Sequence, residues 1–278
     1  MSAWNHPEIV ELVRRALAED IGSGDLTSEA TIDAACRATG RFYARQPMVL
    51  AGVELLPLIY EQQGGVDSLR LLKSSGDRCP DGEPVAEVTG LARTLLRCER
   101  VSLNFMQRLS GIATLASRYV AETAGTPCKV LDTRKTTPGL RRVEKLAAAA
   151  GGVTNHRLGL FDAILIKNNH ITACGSVTEA VRRALATGLA VECEVRTRAE
   201  LDEALAAGAK RLLLDNLTPA EARQWIAHIN GRASTELSGG ITLETVRAYA
   251  QAGADFVSSG AITHSAVAVD LNFRIEFA

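Results

Sequence analysis

The chain has few aromatic residues, almost no net charge and no long apolar run, and each shortage removes a class of function. Aromatic side chains make up 4% of the 278 residues, and a formal charge of -1 at pH 7 leaves no global field to attract a nucleic-acid backbone or an anionic membrane. No nucleic-acid partner is expected. No apolar stretch approaches the roughly 20 residues that span a bilayer, and the first residues lack the basic and apolar regions of a secretion signal. The expectation is a cytoplasmic protein with no membrane partner. Cys36, Cys79, Cys98, Cys128, Cys174 and Cys193 show no C-x-x-C spacing, which predicts reduced core thiols, without disulfides or zinc. The sequence also lacks the phosphate loop of NTPases, the H-E-x-x-H of zincins, the G-x-S-x-G of hydrolases and a strand-led dinucleotide fingerprint.

The residues that are present, 46% of them apolar, suffice for one large or two modest domains. A first helix is predicted from Pro7, with Ile9, Val10, Leu12, Val13, Ala16 and Leu17 on one face. Between about 37 and 90, short segments separated by Gly, Pro and Asp predict the strands of a small α+β region. From Ala92 to about Glu122 the spacing predicts one long connecting helix or two, with a kink or break expected at Ser110-Gly111. After residue 127 the apolar runs CKVL, AILI, AVECEV, RLLL, ASTEL and DFVS alternate with Ala-rich amphipathic stretches, the signature of βα units on a parallel sheet.

The residues that close these runs, Asp132, Lys167, Glu194, Asp215, Ser238 and then Ser258, Ser259 and Gly260, are polar or small. Strand C-termini form the active face of a βα barrel, and Gly-rich loops such as SGGIT and SSGAITHS can present N–H groups to a phosphate. An open doubly wound sheet would gather its site in the same place, so periodicity leaves the two open. Six βα units are legible, and at about 25 residues each the remaining length cannot hold eight. A shortened (β/α) barrel with a smaller N-terminal α+β domain is the expected architecture.

Residues 132–170 gather seven Lys and Arg and two His against three acids, which suits an anionic ligand. Arg134 and Lys135 sit beside a TTPG turn. Arg141 and Arg142 fall where a helix is predicted, and a solvated helix face accounts for them equally well. His156-Arg157, between two Gly-containing turns, can offer one neutral and one charged donor to a carboxylate. Lys167 follows four apolar residues and is expected to be buried, with Glu194 or a ligand as its anion. Glu194 and Asp215 close neighbouring strands, so they suit either Mg²⁺ and ribose hydroxyls or an internal salt bridge with Lys167. Glu192 shares the strand parity of Glu194, so both can face inward.

The segments LDTRKTTPGLR, GGVTNHRLGLFDAILIKNNHI, LLLDN, SGGI and GAITHS, with EDIGSGDLTS and ERVSLNFMQRLSGIAT upstream, resemble the quinolinate phosphoribosyltransferases over nearly the whole chain. A related molybdenum-transport-associated family shares the frame but departs from the TRKTTPGLR and LIKNNH forms. The resemblance implies a reaction of quinolinate with phosphoribosyl pyrophosphate and Mg²⁺, giving nicotinate mononucleotide, pyrophosphate and CO₂ in NAD biosynthesis, with no organic cofactor. It implies a dicarboxylate pocket of Arg134, Lys135, His156, Arg157 and Lys167, completed by Arg100 from the partner subunit of a homodimer. Glu194 and Asp215 would hold ribose hydroxyls or the Mg²⁺ complex. Ser238, Gly239, Gly240, Ser259, Gly260 and His264 would line the 5'-phosphate loops, and Lys135, Lys167, Glu194 and Asp215 would form the catalytic group. The implied domains are an N-terminal one over residues 1–115, completed by 266–278, and a barrel over 116–265. Two positions depart from the usual pattern: Asn168, where an acid is commoner, and Ser259, where an apolar residue is.

Overall fold

The computed structural model describes residues 3–277. Along the chain run α1 (Pro7–Ile21), α2 (Leu26–Thr31), β1 (Arg37–Ala44), β2 (Met48–Val49), α3 (Leu56–Glu61), β3 (Ser68–Leu71), β4 (Arg78–Cys79), β5 (Pro84–Leu91) and α4 (Ala92–Glu122). They are followed by β6 (Lys129–Leu131), α5 (Arg141–Ala150), β7 (Ile164–Ile166), α6 (Asn168–Cys174), α7 (Val177–Leu185), β8 (Val191–Val195), α8 (Arg198–Ala206) and β9 (Arg211–Asp215). The remainder comprises α9 (Pro219–Ile229), β10 (Ser234–Ser238), α10 (Val246–Ala250), β11 (Phe256–Ser258), α11 (Ala261–His264) and β12 (Leu271–Phe277).

The chain forms two compact units. One contains residues up to Ser117 together with Thr136–Gly152 and the residues from Thr263 onward. Here α1 starts on Pro7, whose missing N–H costs nothing in the first turn, and buries Ile9, Val13 and Leu17 at helical spacing. An antiparallel sheet runs in the order β12-β1-β5-β3. Burial alternates along β1, as expected where one face of a sheet meets a core. Residues 136–152 were expected within the barrel stretch. They group instead with this unit, where Arg142 of α5 pairs with Glu8 of α1 at 2.9 Å and the buried Glu144 accepts from Arg108 of α4 at 2.9 Å.

Of the one or two helices expected here the structure has one, because α4 is continuous through Ser110 and Gly111. Each serves a contact. Ser110 Oγ accepts from Ala51 N at 2.9 Å, and a Cβ on Gly111 would stand 2.2 Å from the carbonyl oxygen of Val267. Glycine is there for a close backbone approach and costs helix propensity to allow it.

The second unit, Arg118–Lys135 and Val153–Ile262, carries six parallel strands in the order β6-β11-β10-β9-β8-β7. All six apolar runs read from the sequence are these strands. In a flat sheet β6 and β8 would stand four spacings apart, about 19 Å. Yet Asp132, directly after β6, accepts the N–H of His156 at 2.8 Å, and the ring of the same His156 meets Glu192 of β8 at 3.1 Å and Glu236 of β10 at 3.5 Å. Only a rolled sheet brings these strands together. At the free edge of β6, Thr154 pairs with Leu131 in parallel. The result is the shortened barrel expected. Its helices begin just beyond strand C-termini, α8 capped by Thr197 and α9 by a Thr218–Glu221 capping box with Pro219 in the first turn.

Candidate active site

At the C-terminal ends of the barrel strands the basic loops are held by an internal scaffold. Asp132 is fully buried and accepts from Asn155 Nδ2 at 2.7 Å as well as from the His156 N–H. These bonds fix the NHRLG loop against the end of β6. Within that loop the Asp162 carboxylate accepts the N–H groups of Leu158 and Gly159, at 2.5 and 2.9 Å. Arg157 Nη1 donates to Ala163 O at 2.9 Å, while its Nε is buried with no hydrogen-bond partner. Burial, and then the charge of Arg134, hold the Arg157 guanidinium below its usual pKa range. A guanidinium does not shed its proton in a protein, so a desolvated one beside a second cation marks a place for an anion.

Arg134 is half-buried and Lys135 exposed, the loop N–H of Lys135 donating to Thr133 Oγ1 at 3.0 Å. Lys167 departs from expectation: its side chain is 54% exposed, because it follows the last strand residue and starts α6, and its ammonium lies 3.6 Å from Glu194. The predicted pairing with Glu194 is present, without the predicted burial. Asn168, the first residue of α6, contacts Arg196 in the loop after β8, so an amide oxygen stands where an acid is commoner.

The loops after β9 and β10 are laced together. Asn216, in the left-handed conformation at φ 57°, donates its N–H to Ser238 O at 2.9 Å and its side-chain amide to Asp215 at 2.7 Å. Gly239 has φ 102°, and a Cβ there would stand 2.2 Å from Asn216 Oδ1, so only glycine fits. Gly240 follows, exposed. The Ser259 hydroxyl donates to Ile241 O at 2.7 Å and its N–H to Leu131 O at 3.3 Å, so this buried residue ties the loop after β11 to the loop after β10 and to β6. Gly260, behind it, is half-buried. Arg100 on α4 and His264 at the end of α11 are exposed and belong to the first unit.

Inside the barrel lies a group that the motifs did not reveal. Arg211, at the start of β9, donates from Nε to Glu192 at 2.9 Å and from Nη2 to Glu236 at 2.7 Å. His156 Nε2 meets the same two carboxylates, and its Nδ1 accepts the N–H of Arg157 at 2.7 Å. Among the described residues, His156, Glu192 and Glu236 are the group whose ligand atoms lie close enough to share a metal ion, but Arg211 already supplies a cation to both acids. Burial, reinforced by the Glu192 charge, pushes the Glu236 carboxyl up to about 7. Burial acts on Glu192 too, yet the hydrogen bond from His156 and the Arg211 charge hold it below its usual range. Two carboxylates in one dry site thus divide into one that is readily ionised and one that is not. Strand parity points to Glu192, and a carboxylate next to a strand end points to Asp132; Glu236, set among Ser234, Thr235 and Leu237, carries no comparable signal.

The chain matches the family model "Quinolinate phosphoribosyl transferase, N-terminal domain" over residues 25–110 and the corresponding C-terminal domain model over residues 112–274. It is 42% identical over 273 residues to a nicotinate-nucleotide pyrophosphorylase (carboxylating) of Mycobacterium leprae, covering 95% of this chain and 96% of that protein. To a quinolinate phosphoribosyltransferase (decarboxylating) of Nicotiana glauca it is 38% identical over 297 residues, covering 98% and 84%. The crystal structure of NadC from Streptococcus pyogenes superposes with a TM-score of 0.93 at 39% identity, covering 98% of this chain and 97% of that one. With both domain models matched in order along one chain, and full-length relatives near 40% identity, the chain belongs to the quinolinate phosphoribosyl transferase family.

Proposed function

We propose that the chain transfers the phosphoribosyl group of phosphoribosyl pyrophosphate to quinolinate with decarboxylation, giving nicotinate mononucleotide, pyrophosphate and CO₂ for NAD biosynthesis. The observation that carries this reading is the desolvated Arg157 guanidinium, with a buried Nε lacking a partner and the Arg134 charge bearing on it, at the strand ends of the barrel. A planar dicarboxylate supplies two anions in fixed geometry, which matches two guanidinium forks. Lys135 and Lys167 add flexible positive charge at the same strand ends.

In this reading Arg134, Lys135, Arg157 and Lys167 orient quinolinate, and its ring nitrogen attacks the anomeric carbon as pyrophosphate leaves through an oxocarbenium-like transition state. Asp215, beside Ser238 and Gly239 through the Asn216 lacing, and Glu194 grip the ribose hydroxyls. Ser238, Gly239, Gly240, Gly260 and His264 receive the 5'-phosphate, with Ser259 setting the loop. Once the nitrogen is quaternised, the adjacent carboxylate departs as CO₂; the electron pair left on the ring carbon is stabilised by the neighbouring cationic nitrogen until that carbon takes up a proton from solvent, giving nicotinate mononucleotide. Glu194 and Asp215 are oxygen donors of the kind Mg²⁺ takes, and the ion would neutralise charge on the leaving pyrophosphate. No organic cofactor enters. We further read the active form as a homodimer in which Arg100 serves the partner's site. Its exposure on α4, and the exposed apolar pair Leu160 and Phe161, support that reading. A cytoplasmic setting accords with six free thiols.

Mass-resolved product analysis tests the activity, with nicotinate replacing quinolinate and a chelator as controls. Nicotinate mononucleotide formed from quinolinate only, and only with Mg²⁺, is the expected result. A folded protein that binds quinolinate and yields no product would instead be an anion-binding protein.

A further inference from the structure

By residue type alone, His156 could donate to a substrate carboxylate. The ring geometry points elsewhere. Nδ1 accepts the backbone N–H of Arg157 at 2.7 Å, so it carries no proton of its own. The proton therefore sits on Nε2, which faces Glu192 at 3.1 Å and Glu236 at 3.5 Å inside the barrel. Both ring nitrogens are spent within the protein, and the side chain is 12% exposed. The backbone N–H of His156 is also taken, by the buried Asp132.

We propose that His156 is a positioning residue that holds the backbone of Arg157 and gives no ring N–H to the substrate, and that Glu192, bridging His156 and Arg211, keeps the ring in this one orientation. The inference rests on the quinolinate reading only for what Arg157 grips; the orientation of the ring is independent of it. The geometry is over-determined in the way a precise anion site requires. Glu192 accepts from His156 on one oxygen and from Arg211 on the other, and Arg211 is held in turn by Glu236. A ring free to turn would release the Arg157 N–H, and a guanidinium misplaced by about 1 Å is enough to cost on the order of a hundredfold in rate.

Two measurements on the full-length protein test this. Nitrogen-15 NMR of the histidine rings, assigned with His156→Gln, should show His156 as the Nε2–H tautomer without ligand and unchanged on saturation with quinolinate. A shift of that ring to the doubly protonated form on adding quinolinate would mean direct contact and would overturn the proposal. In steady-state kinetics, Glu192→Leu should raise the quinolinate KM about tenfold or more with the phosphoribosyl pyrophosphate KM little changed. Glu192→Gln, which keeps an acceptor for Nε2–H, should restore it to within about fivefold of wild type. Equal loss in both variants, each folded by circular dichroism, would also overturn the positioning role. If Glu192→Leu does not fold, the tautomer measurement on the wild-type protein decides alone. Absence of quinolinate turnover by the wild type would overturn the proposed function, leaving the ring orientation to stand or fall by NMR.

Discussion

Arg157 concentrates the functional argument in one side chain. Its Nε is buried without a partner and its charge is disfavoured by burial and by Arg134, so an incoming carboxylate meets a half-buried cation already stripped of part of its water. Charge-assisted hydrogen bonds of this kind contribute about 1.5–3 kcal/mol each, and Arg157→Ala should therefore lower kcat/KM for quinolinate about a hundredfold while leaving the melting temperature near wild type. Near-wild-type turnover in that variant would remove Arg157 from the pocket. Glu236 makes a pH prediction. An acid whose pKa in the folded protein, about 7, lies above the ordinary carboxylate range binds protons more tightly in the folded state. Its contribution to stability is full below the unfolded pKa and is lost as pH rises through the folded one. The wild-type thermal midpoint should fall more than that of Glu236→Gln between about pH 5 and about pH 8, and parallel curves would show that Glu236 does not titrate there. Composition and motifs made the cations at this site legible. The acids beneath them are less so, since Glu236 lies in the mixed strand STELS and only the rolled sheet shows that His156, Glu192 and Arg211 converge on it.

Elements were easiest to read where burial is complete. Strands of a parallel barrel are covered on both faces, so they appear as short, largely apolar runs, and all six are visible. The half-buried strands of the first unit gave only a general α+β impression, because β2 and β4 are two residues each and pairing over long separations leaves no periodic trace. The helix α4, readable as one long helix or two, is one, and its Ser110-Gly111 carries a helix-breaking composition but makes tertiary contacts. Gly111→Ala would gain about 1 kcal/mol of helix propensity, yet its methyl meets the Val267 carbonyl, and the overpacking should prevail by about 1–3 kcal/mol in chemical denaturation. A stabilised variant would show that the segment at Val267 yields easily. In the loop after β10, Gly239→Ala combines a left-handed backbone with a clash on Asn216. It should weaken phosphoribosyl pyrophosphate far more than quinolinate, as isothermal titration of each would report; equal losses would place this loop away from the phosphate.

For the molecule as a whole, complementation tests the proposed assembly. If Arg100 serves the partner's site, Arg100→Ala and Arg157→Ala chains, each inactive alone, should regain activity when mixed, because one site of each mixed dimer has both arginines. Proof of subunit exchange with no recovery would confine Arg100 to its own chain. A last consequence follows from β12, whose antiparallel ladder with β1 runs from Leu271 opposite Ala44 to Phe277 opposite Ala38. The ribosome makes β1 early and β12 only after every barrel strand, a lag of ten seconds or more at about 5–20 residues per second. During that interval β1 has one bare edge, the kind of surface that recruits chaperones or pairs wrongly with a neighbouring chain. The barrel strands, although encoded later than β1, are thus all available for pairing before β1 gains its second partner, and misassembly during synthesis is expected to begin at that edge.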